Sequence, residues 1–368
     1  MKSLKTLLAL LLALALVAAA CGGDDDDAVA TGEPDASASE PADEPMEEPA
    51  DEPMEEDMEE AAEEPMEEEM EEPAEEPMEE EMEEEPMDDM DAAFPVTVAH
   101  GTGEITFETQ PQRIVSLSPT ATEMLFAVGA GDLVIAVDDQ SNHPPEAPMT
   151  DLSGFTPNVE AIIGFEPDLV VSSGLPEDIE AGLAEAGIPS MSLFFGAVIE
   201  DTYTQIEQVG AATGHLGDAA ELVAQIQADM AAIAADLPDL GEVTYYHELT
   251  GDLFSATSST FIGQIYSMLG LVNVADEADV DGFGFPQLSA EYILEQDPDL
   301  IFLADTKCCG ESAETVAARP GWDQLSAVQN GNVIELDDDI ASRWGPRIVD
   351  FLQVIADATA DLELADAG

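Results

Sequence analysis

The chain is 368 residues long, and its 83 acidic residues outnumber 7 basic ones, so the formal net charge is −76. A charge of this size repels phosphate backbones, so the composition excludes nucleic-acid binding. Residues 22–93 hold 36 of the acids and no base, whereas residues 94–368 hold the other 47 acids and five bases. The second stretch is rich in apolar residues and long enough for a sizeable core. The chain therefore divides into an acidic stretch and a folded unit that is itself acidic, which suits either a saline habitat or an extracellular location.

The segment 1–20 has the features of a signal peptide. Lys2 and Lys5 precede an apolar run from Thr6 to Ala20, which is short for a bilayer span and matches the apolar core of a secretory signal. Cys21 follows small residues directly, which resembles the lipobox of bacterial lipoproteins, where the cysteine is diacylated and holds the protein on the membrane. We therefore expect an exported protein that is lipid-anchored through Cys21 and faces the extracytoplasmic side. Secretory cleavage after Ala20 without lipidation is the alternative.

Residues 21–93 are predicted to form a disordered tether that begins at the lipidated cysteine. A loose unit of Pro-Met followed by two acids starts at five prolines, which are Pro45, Pro53, Pro65, Pro77 and Pro86. Prolines interrupt helices and like charges repel one another, so such a segment stays extended and solvated. The methionines also have the chemistry to bind copper. A spacer between the membrane and the folded unit is the simpler interpretation.

Strands and helices are predicted to alternate from Phe94 onward. A hairpin over Val96–Ala99 and Glu104–Phe107 is followed by four predicted strands: Arg113–Leu117, Leu133–Val137, Pro167–Val171 and Ile188–Leu193. The first helix opens either at Ser118, with Pro119 in the first turn, or at Thr120, with Glu123 completing a capping box. Two further helices are predicted over Val159–Phe165 and Ile179–Ala186. This alternation predicts a parallel sheet covered by helices, in a lobe of residues 94–200.

The same alternation recurs after residue 240, and one motif repeats. The segments 160–170 and 291–301 share Glu, Ile, Pro, Asp and Leu at one constant offset, which pairs Glu160 with Glu291 and Pro167 with Pro298. A repeat of this length indicates two related half-domains rather than an array of short units. Residues 201–240 are predicted to be connecting helices, including one over His215–Asp236 that would be about 33 Å long. The predicted fold is α/β, with two Rossmann-like lobes, 94–200 and 241–368, joined by one long helix.

Five segments resemble the helical-backbone class (class III) of periplasmic binding proteins. They are Arg113–Gly129, His143-Pro-Pro, the paired motifs that begin at Glu160 and Glu291, Phe285–Glu291, and Trp344–Arg347. The resemblance covers roughly residues 113–360, and the pattern is most similar to the cobalamin-binding branch. It implies the solute-binding component of an ABC importer, which clamps a corrinoid between two lobes and delivers it to the membrane permease. A ferric siderophore or haem is the alternative ligand, and a metal ion is a further one.

The resemblance also implies roles for individual residues. Glu160 and Glu291 match the glutamates that dock onto permease arginines, although a Glu at a helix start also favours the helix dipole. The ligand-binding candidates are Ser118, Thr120, Gln140, Phe155, His247, Phe285, Arg343 and Trp344. The two Phe residues are alternatively core, Trp344 a packing anchor, and Arg343 a partner of Asp337–Asp339. The implied partners are permease subunits, a small-molecule ligand and the membrane, and we expect a monomer without a resident cofactor.

The sequence was also searched for patterns typical of metal sites and of enzymes. The chain has four histidines, His100, His143, His215 and His247, and none shows the spacing of a ligand pair. His143 and His247 would meet only if the lobes bring them together, so no metal site is predicted. The chain has no nucleophile elbow, P-loop or dinucleotide fingerprint, so we expect a protein that is not an enzyme. The adjacent Cys308 and Cys309 form a vicinal disulfide, act as a thiol pair, or only fill a loop.

Overall fold

The computed structural model describes residues 94–237, 242–360 and 362. The predicted signal peptide, Cys21 and the acidic tether lie outside these residues. The described part begins with an antiparallel hairpin of β1 (Val96–His100) and β2 (Gly103–Phe107), as predicted. Within the described ranges, no helix is both long enough and apolar enough to cross a membrane.

A five-stranded parallel sheet forms the first lobe, in the order β5-β4-β3-β6-β7. Its strands are β3 (Ile114–Leu117), β4 (Val134–Asp138), β5 (Met149–Leu152), β6 (Leu169–Ser172) and β7 (Ser190–Ser192). Its helices are α1 (Pro119–Ala127), α2 (Val159–Ile163) and α3 (Glu177–Glu185). The sequence did not predict β5, because this edge strand is short and only its last residue is buried. The central strand β3 is buried along its whole length, as expected for a parallel sheet covered on both faces.

Two helices connect the lobes, α4 (Ile199–Thr213) and α5 (Leu216–Asp236). Gly214 separates them with a φ of 80°, a left-handed conformation that glycine adopts without a Cβ clash. The long helix predicted over His215–Asp236 is confirmed, and His215 is its N-cap. Its buried residues recur every three or four positions, so a single face packs against α4 and the last helix of the chain: Ala219, Val223, Ile226 and Met230.

A four-stranded parallel sheet forms the second lobe, in the order β11-β10-β8-β9. Its strands are β8 (Thr244–Glu248), β9 (Val272–Asn273), β10 (Leu300–Leu303) and β11 (Val333–Glu335). Its helices are α6 (Phe261–Met268), α7 (Ala290–Gln296), α8 (Thr306–Cys309), α9 (Ala313–Ala317), α10 (Ser326–Asn330), α11 (Asp338–Ser342) and α12 (Ile348–Ala360). The predicted fold of two α/β lobes joined by a long helix is therefore confirmed.

The internal repeat forms the same local structure in both lobes, at the point where two neighbouring strands begin. In the first lobe, the Asp168 carboxylate accepts the backbone N–H groups of Gln112 and Arg113, both at 2.8 Å. In the second lobe, Asp299 accepts the Thr244 N–H at 2.8 Å and the Thr244 hydroxyl at 2.9 Å. The two aspartates occupy equivalent positions of the repeat, so the Pro-Asp-Leu motif aligns neighbouring strands in the same way in both lobes.

The largest apolar cluster extends from one lobe to the other. It includes Ile114 of the first sheet, Ile206 of α4, Val223 of α5, and Tyr245 and Phe351 of the second lobe. Burying this shared surface is the main force that holds the connecting helices against both sheets. We infer that the lobes meet over a packed surface rather than through a flexible linker.

Candidate functional site

The interlobe junction, meaning the surface where residues of the two lobes touch, contains an aromatic cluster centred on Phe195. This residue follows β7 of the first lobe and is half-buried. The centroid of its ring lies 4.9 Å from the ring centroid of Trp344, 5.8 Å from that of Phe285 and 5.5 Å from that of Phe261, in edge-to-face arrangements. Such geometry favours aromatic pairs beyond the burial of their area. The sequence predicted Phe285 and Trp344 as ligand-contacting residues but not Phe195, whose only signal was its place after a strand.

Trp344 is an anchor across this junction. Its indole N–H donates to Gln205 Oε1 at 2.9 Å, and the Gln205 amide donates to the carbonyl of Phe194 at 2.7 Å. A Cβ built on Gly196 would lie only 3.0 Å from the indole, so the ring packs directly on that glycine backbone. The sequence left open whether Trp344 contacts a ligand or is a packing anchor. These contacts show that one side of its ring is a packing anchor. Only its remaining exposed part is left to contact a ligand.

A group of ion pairs joins the lobes beside the aromatic cluster. Glu123 of α1 accepts Arg343 Nη1 at 2.7 Å, and it accepts Arg347 Nε at 2.9 Å and Nη2 at 2.6 Å. Arg343 also donates to Asp339 at 2.7 Å and to Asn142 Oδ1 at 3.0 Å. The Asn142 amide donates to Asp339 at 3.0 Å. We call these five residues the interlobe clasp.

Burial and charge both act on the clasp. Glu123 is only 3% exposed and Arg343 9% exposed, so solvent screens their attraction weakly. Burial favours a raised pKa for Asp339, but the Asn142 hydrogen bond and the neighbouring cations Arg343 and Lys307 outweigh it and lower the pKa. The hydrogen bond to Glu123 raises the pKa of Arg347 against the effect of burial. Asp339 and Arg347 therefore stay ionised near neutral pH.

The structure answers two questions that the sequence left open, the start of α1 and the role of Arg343. Ser118 caps α1 by accepting the Ala121 N–H at 3.3 Å, and Pro119 is the first helical residue. Glu123 is therefore not part of a capping box and points across the junction instead. Arg343 forms structural ion pairs with Glu123 and Asp339, of which the sequence had suggested only the second.

The remaining first-lobe candidates differ in exposure. Ser118 and Thr120 are 3% and 4% exposed, so neither presents its hydroxyl to the surface. Gln140 and Phe155 lie in exposed loops that follow β4 and β5, and Phe155 is 76% exposed. Gly154 lets the second loop approach the carboxyl end of β3, because a Cβ there would lie 2.6 Å from the Leu117 carbonyl oxygen. Ligands of parallel α/β sheets bind at this carboxyl edge, so Gln140 and Phe155 have suitable positions.

The prediction that His247 faces a ligand is wrong. Its side chain is completely buried, with Nδ1 2.8 Å from the Tyr266 hydroxyl and the Phe351 ring packed nearby. Burial lowers its pKa to about 3. His247 belongs to β8 itself rather than to the loop after it, so its side chain points under the covering helices. It cannot meet His143, and no cluster of three potential metal ligands occurs among the described residues.

Glu160 and Glu291 occupy equivalent places in the two lobes. Each is the second residue of its helix, α2 or α7, and each is exposed. The helix N-caps are also equivalent, since Asn158 accepts the Ala161 N–H at 2.8 Å and Ser289 accepts the Tyr292 N–H at 3.1 Å. Both glutamates can therefore offer a carboxylate to a partner, and both also lie at the positive end of a helix dipole. Their role in permease docking stays a prediction.

A buried ionic cluster in the second lobe was not predicted from the sequence. Glu248, at the end of β8, is fully buried and accepts two hydrogen bonds from Arg319, at 2.7 and 2.6 Å. Arg319 also donates to Glu311 at 2.8 Å. The nearby Asp305 is fully buried and its carboxylate oxygens have no hydrogen-bond partner among the described residues. Burial, followed by the charges of Glu248 and Glu311, raises the pKa of Asp305 to about 7.

Cys308 and Cys309 are joined in a vicinal disulfide at the end of α8, which was one of the alternatives that the sequence left open. The first turn of this helix is held by Asp338, whose carboxylate accepts the backbone N–H groups of Thr306, Lys307 and Cys308 at 2.8–2.9 Å. The disulfide therefore lies beside the segment that leads to the clasp rather than within the aromatic cluster.

Comparison with known sequences identifies relatives that match most of the chain. The family model described as periplasmic binding protein matches residues 114–340. A cobalamin-binding protein of Halobacterium salinarum is 30% identical over 281 residues, which cover 73% of this chain and 75% of that protein. An uncharacterized ABC transporter substrate-binding lipoprotein of Bacillus subtilis is 29% identical over 276 residues, which cover 72% and 85% of the two chains.

Solved structures agree with the fold. The periplasmic vitamin B12-binding protein of Vibrio cholerae superposes with a TM-score of 0.53 at 26% identity, over 68% of this chain and 97% of that one. A periplasmic heme-binding protein of a Roseiflexus species superposes with a TM-score of 0.59 at 24% identity, over 68% and 98%. Proteins with different ligands thus share this two-lobed architecture, so the architecture alone does not identify a ligand.

Proposed function

The chain belongs to the periplasmic binding protein family, and we propose that it captures a corrinoid, a cobalamin-like ligand, between its two lobes. Membership of the family makes it the extracytoplasmic solute-binding component of an ABC importer. It is a transport protein rather than an enzyme, and its partners are the permease subunits and a small-molecule ligand. The identity of that ligand is the part that we propose.

Sequence similarity to the cobalamin-binding protein of Halobacterium salinarum, 30% identical over 281 residues, is the observation that carries the corrinoid proposal. The junction supplies compatible chemistry. Phe195, Phe285 and Trp344 are half-buried where the lobes meet, and Phe155 is exposed in the loop after β5 of the first lobe. Large flat ligands bind to apolar and aromatic walls that carry a few polar groups for orientation. The exposed Gln140 is a candidate for such a polar group.

Delivery and attachment complete the proposal. We propose that Glu160 and Glu291 bind arginines of the permease, one from each lobe, because charge-assisted pairs with arginine combine strength with defined geometry. We further propose that a lipid on Cys21 holds the protein at the outer face of the cell membrane. The intervening acidic segment would then serve as a spacer that lets the lobes reach the permease.

Titration of the purified protein with cyanocobalamin, followed by tryptophan fluorescence, tests the ligand. Trp344 is half-buried at the junction, whereas Trp322 is buried within the second lobe, so bound corrinoid should quench the Trp344 emission. Replacing Trp344 by Phe should remove most of the quenching and keep the emission of Trp322. Equilibrium dialysis provides a measurement that is independent of fluorescence. Absence of binding in dialysis, with saturable binding of haem or a ferric siderophore instead, would contradict the corrinoid assignment.

Truncation of the junction aromatics should weaken ligand binding. We expect Trp344→Ala and Phe285→Ala each to cost about 1–3 kcal/mol of affinity, the scale of an aromatic hot spot. Phe283→Ala is a matched control, because Phe283 is an exposed aromatic two residues before Phe285 that has no aromatic partner among the described residues. If both junction variants bind as tightly as the unmodified protein, the pocket lies elsewhere.

A further inference from the structure

The basic residues of the folded unit are few enough for each to be followed to its partner. The chain has seven in all, and two of them, Lys2 and Lys5, precede the described residues. Five belong to the described part: Arg113, Lys307, Arg319, Arg343 and Arg347. Any lysine or arginine that the described part offers to a ligand between its lobes must come from these five.

Two of the five bases have partners only within their own lobe and outside the clasp. Arg113 donates to the backbone carbonyls of Phe165 and Glu166 after α2, the second at 2.8 Å. Arg319 is held by the fully buried Glu248 and by Glu311, and its guanidinium lies 4.6 Å from the centre of the Trp322 ring. Neither side chain belongs to the interlobe junction.

The other three bases lie in the clasp or beside it and are matched there by three carboxylates. Arg343 and Arg347 share Glu123, and Arg343 also binds Asp339. Lys307 is exposed, but its ammonium group contacts both Asp337 and Asp339. Arg343 and Arg347 therefore join the lobes, whereas Lys307 pairs only within the second lobe. Together the three bases leave no surplus positive charge among the described residues of the junction.

Releasing an arginine from this arrangement to bind a ligand would be costly. Glu123 is 3% exposed, and removing a partner from a buried ion pair leaves an uncompensated buried charge. The surroundings add to the effect, since residues 94–368 contain 47 acids and five bases. A field of that sign repels an approaching anion before it reaches the junction.

On the basis of these contacts, and building on the proposed function, we infer that the site between the lobes takes metal complexes that are neutral or positively charged and rejects anionic ones. The accepted class includes uncharged corrinoids and neutral or cationic hydroxamate chelates of iron. The rejected class includes ferric tris-catecholates and haem, whose two propionates are ionised at neutral pH. The charge of the junction restricts the class of ligands that can bind, which the fold and the aromatic walls do not do.

Two matched ligand pairs test the inference by equilibrium dialysis of the purified protein. The first is cyanocobalamin and a monocarboxylate obtained by hydrolysing one of its side-chain amides. The second is ferrioxamine B, a cation, and its N-succinyl derivative, an anion. In whichever pair binds, the anionic member should bind at least tenfold more weakly at low salt, and the difference should shrink as salt screens the repulsion. A ferric tris-catecholate or haem should bind less tightly than the preferred member of that pair.

The outcomes separate this inference from the corrinoid proposal. Binding of ferrioxamine B but not cyanocobalamin, with at least tenfold weaker binding of the N-succinyl derivative, would contradict the corrinoid assignment and support selection by charge. Equal or tighter binding of the N-succinyl derivative would overturn selection by charge. Equal or tighter binding of the cobalamin monocarboxylate would support the corrinoid assignment and overturn selection by charge. Tightest binding of haem or of a ferric tris-catecholate would overturn both.

A substitution tests whether the clasp itself sets the preference. Glu123→Gln removes one carboxylate from the clasp, so the ratio of the two dissociation constants within a pair should fall at least threefold. Glu295→Gln removes the same charge from an exposed site on α7 and should leave the ratio unchanged. Asp339→Asn provides a second clasp variant if Glu123→Gln does not fold. A folded clasp variant whose ratio equals that of Glu295→Gln would overturn the role of the clasp.

Discussion

Glu123 is the residue on which most of the ionic contacts between the lobes converge. Its carboxylate receives three hydrogen bonds from two guanidinium groups that come from the opposite end of the folded unit. Hydrogen bonds between ionised partners are shorter and stronger than neutral ones, and the arginine fork adds direction. A single side chain therefore couples α1 of the first lobe to the segment that precedes α12 of the second.

Removal of this carboxylate should destabilise the protein. Glu123→Ala leaves Arg343 with one fewer partner and Arg347 without an anion among its described contacts, so the free energy of unfolding should fall by about 3–5 kcal/mol. Urea denaturation followed by circular dichroism measures the change. Glu295→Ala, on the exposed face of α7, should change it by less than about 0.5 kcal/mol. A loss in Glu123→Ala no larger than in the control would show that the clasp contributes little to stability.

Asp305 should make stability depend on pH. Burial raises its pKa from 3.8 to about 7 in the folded protein, so the folded state binds more protons than the unfolded state between these values. The contribution of Asp305 to stability is therefore largest below about pH 4 and is lost as pH rises through about 7. Asp305→Asn should remove this contribution. The stability of the variant, measured relative to the unmodified protein, should therefore be greater at pH 8 than at pH 5. Thermal unfolding at both values, with the exposed Asp281→Asn as a control, measures the difference; identical profiles for all three proteins would contradict the raised pKa.

At the scale of elements, the repeated strand-and-helix unit places one exposed glutamate on each lobe. Glu160 and Glu291 occupy the same position in α2 and α7, and the aspartates of the following Pro-Asp-Leu motifs align the strands in both lobes. The repeat thereby gives both glutamates a rigid base. Exposed carboxylates on rigid helix starts suit a two-point contact with a larger partner.

Joint substitution of these glutamates should separate delivery from capture. In the double variant Glu160→Ala and Glu291→Ala, uptake of the ligand by cells should fall strongly, because both charge-assisted contacts with the permease are lost. The dissociation constant for the ligand should not change, since neither glutamate lies in the aromatic cluster or the clasp. Glu185→Ala with Glu314→Ala removes one exposed glutamate from a different helix of each lobe, α3 and α9, and serves as the control. Weaker ligand binding by the first pair would assign the two residues to the pocket instead.

At the scale of the whole molecule, the binding unit is defined by its family and by its packing. The family membership assigns it to an ABC importer, which works at a membrane. The apolar cluster that runs through both lobes and the connecting helices makes the binding unit a packed whole. The proposed signal, lipid anchor and spacer all belong to residues that the structure does not describe.

Substitution of Cys21 tests the proposed attachment to the membrane. Cys21→Ser keeps the apolar run and the small residues before it but removes the thiol that a lipid would modify. We expect the unmodified protein in the membrane fraction and the variant in the soluble extracytoplasmic fraction or in an uncleaved form. Cell fractionation and labelling with a radioactive fatty acid distinguish these results. An unmodified protein that is already soluble after export would favour simple secretory cleavage.

Much of this molecule follows from the order of its residues alone. The alternation of apolar strands and helices, the repeated Pro-Asp-Leu motif and the long helix after His215 predicted two lobes and their connection, because local periodicity determines which faces must be buried. The edge strand β5 escaped prediction, since an edge strand is only partly buried and lacks a continuous apolar run. The class of protein could likewise be predicted from short motifs, and the charge of the chain excluded nucleic-acid partners.

Tertiary structure alone decided what the polar residues of the candidate site do. Glu123 and Arg343 lie 220 positions apart, so no local pattern could indicate that they would form an ion pair. From the sequence, a capping box was one of two alternatives for the helix start, and it was the only role considered for Glu123. His247 and Arg343 looked like ligand contacts, but one is fully buried beside Tyr266 and the other holds the lobes together. Which side chains face a cleft depends on how two sheets pack against each other. That packing is set by long-range contacts, which sequence periodicity does not encode.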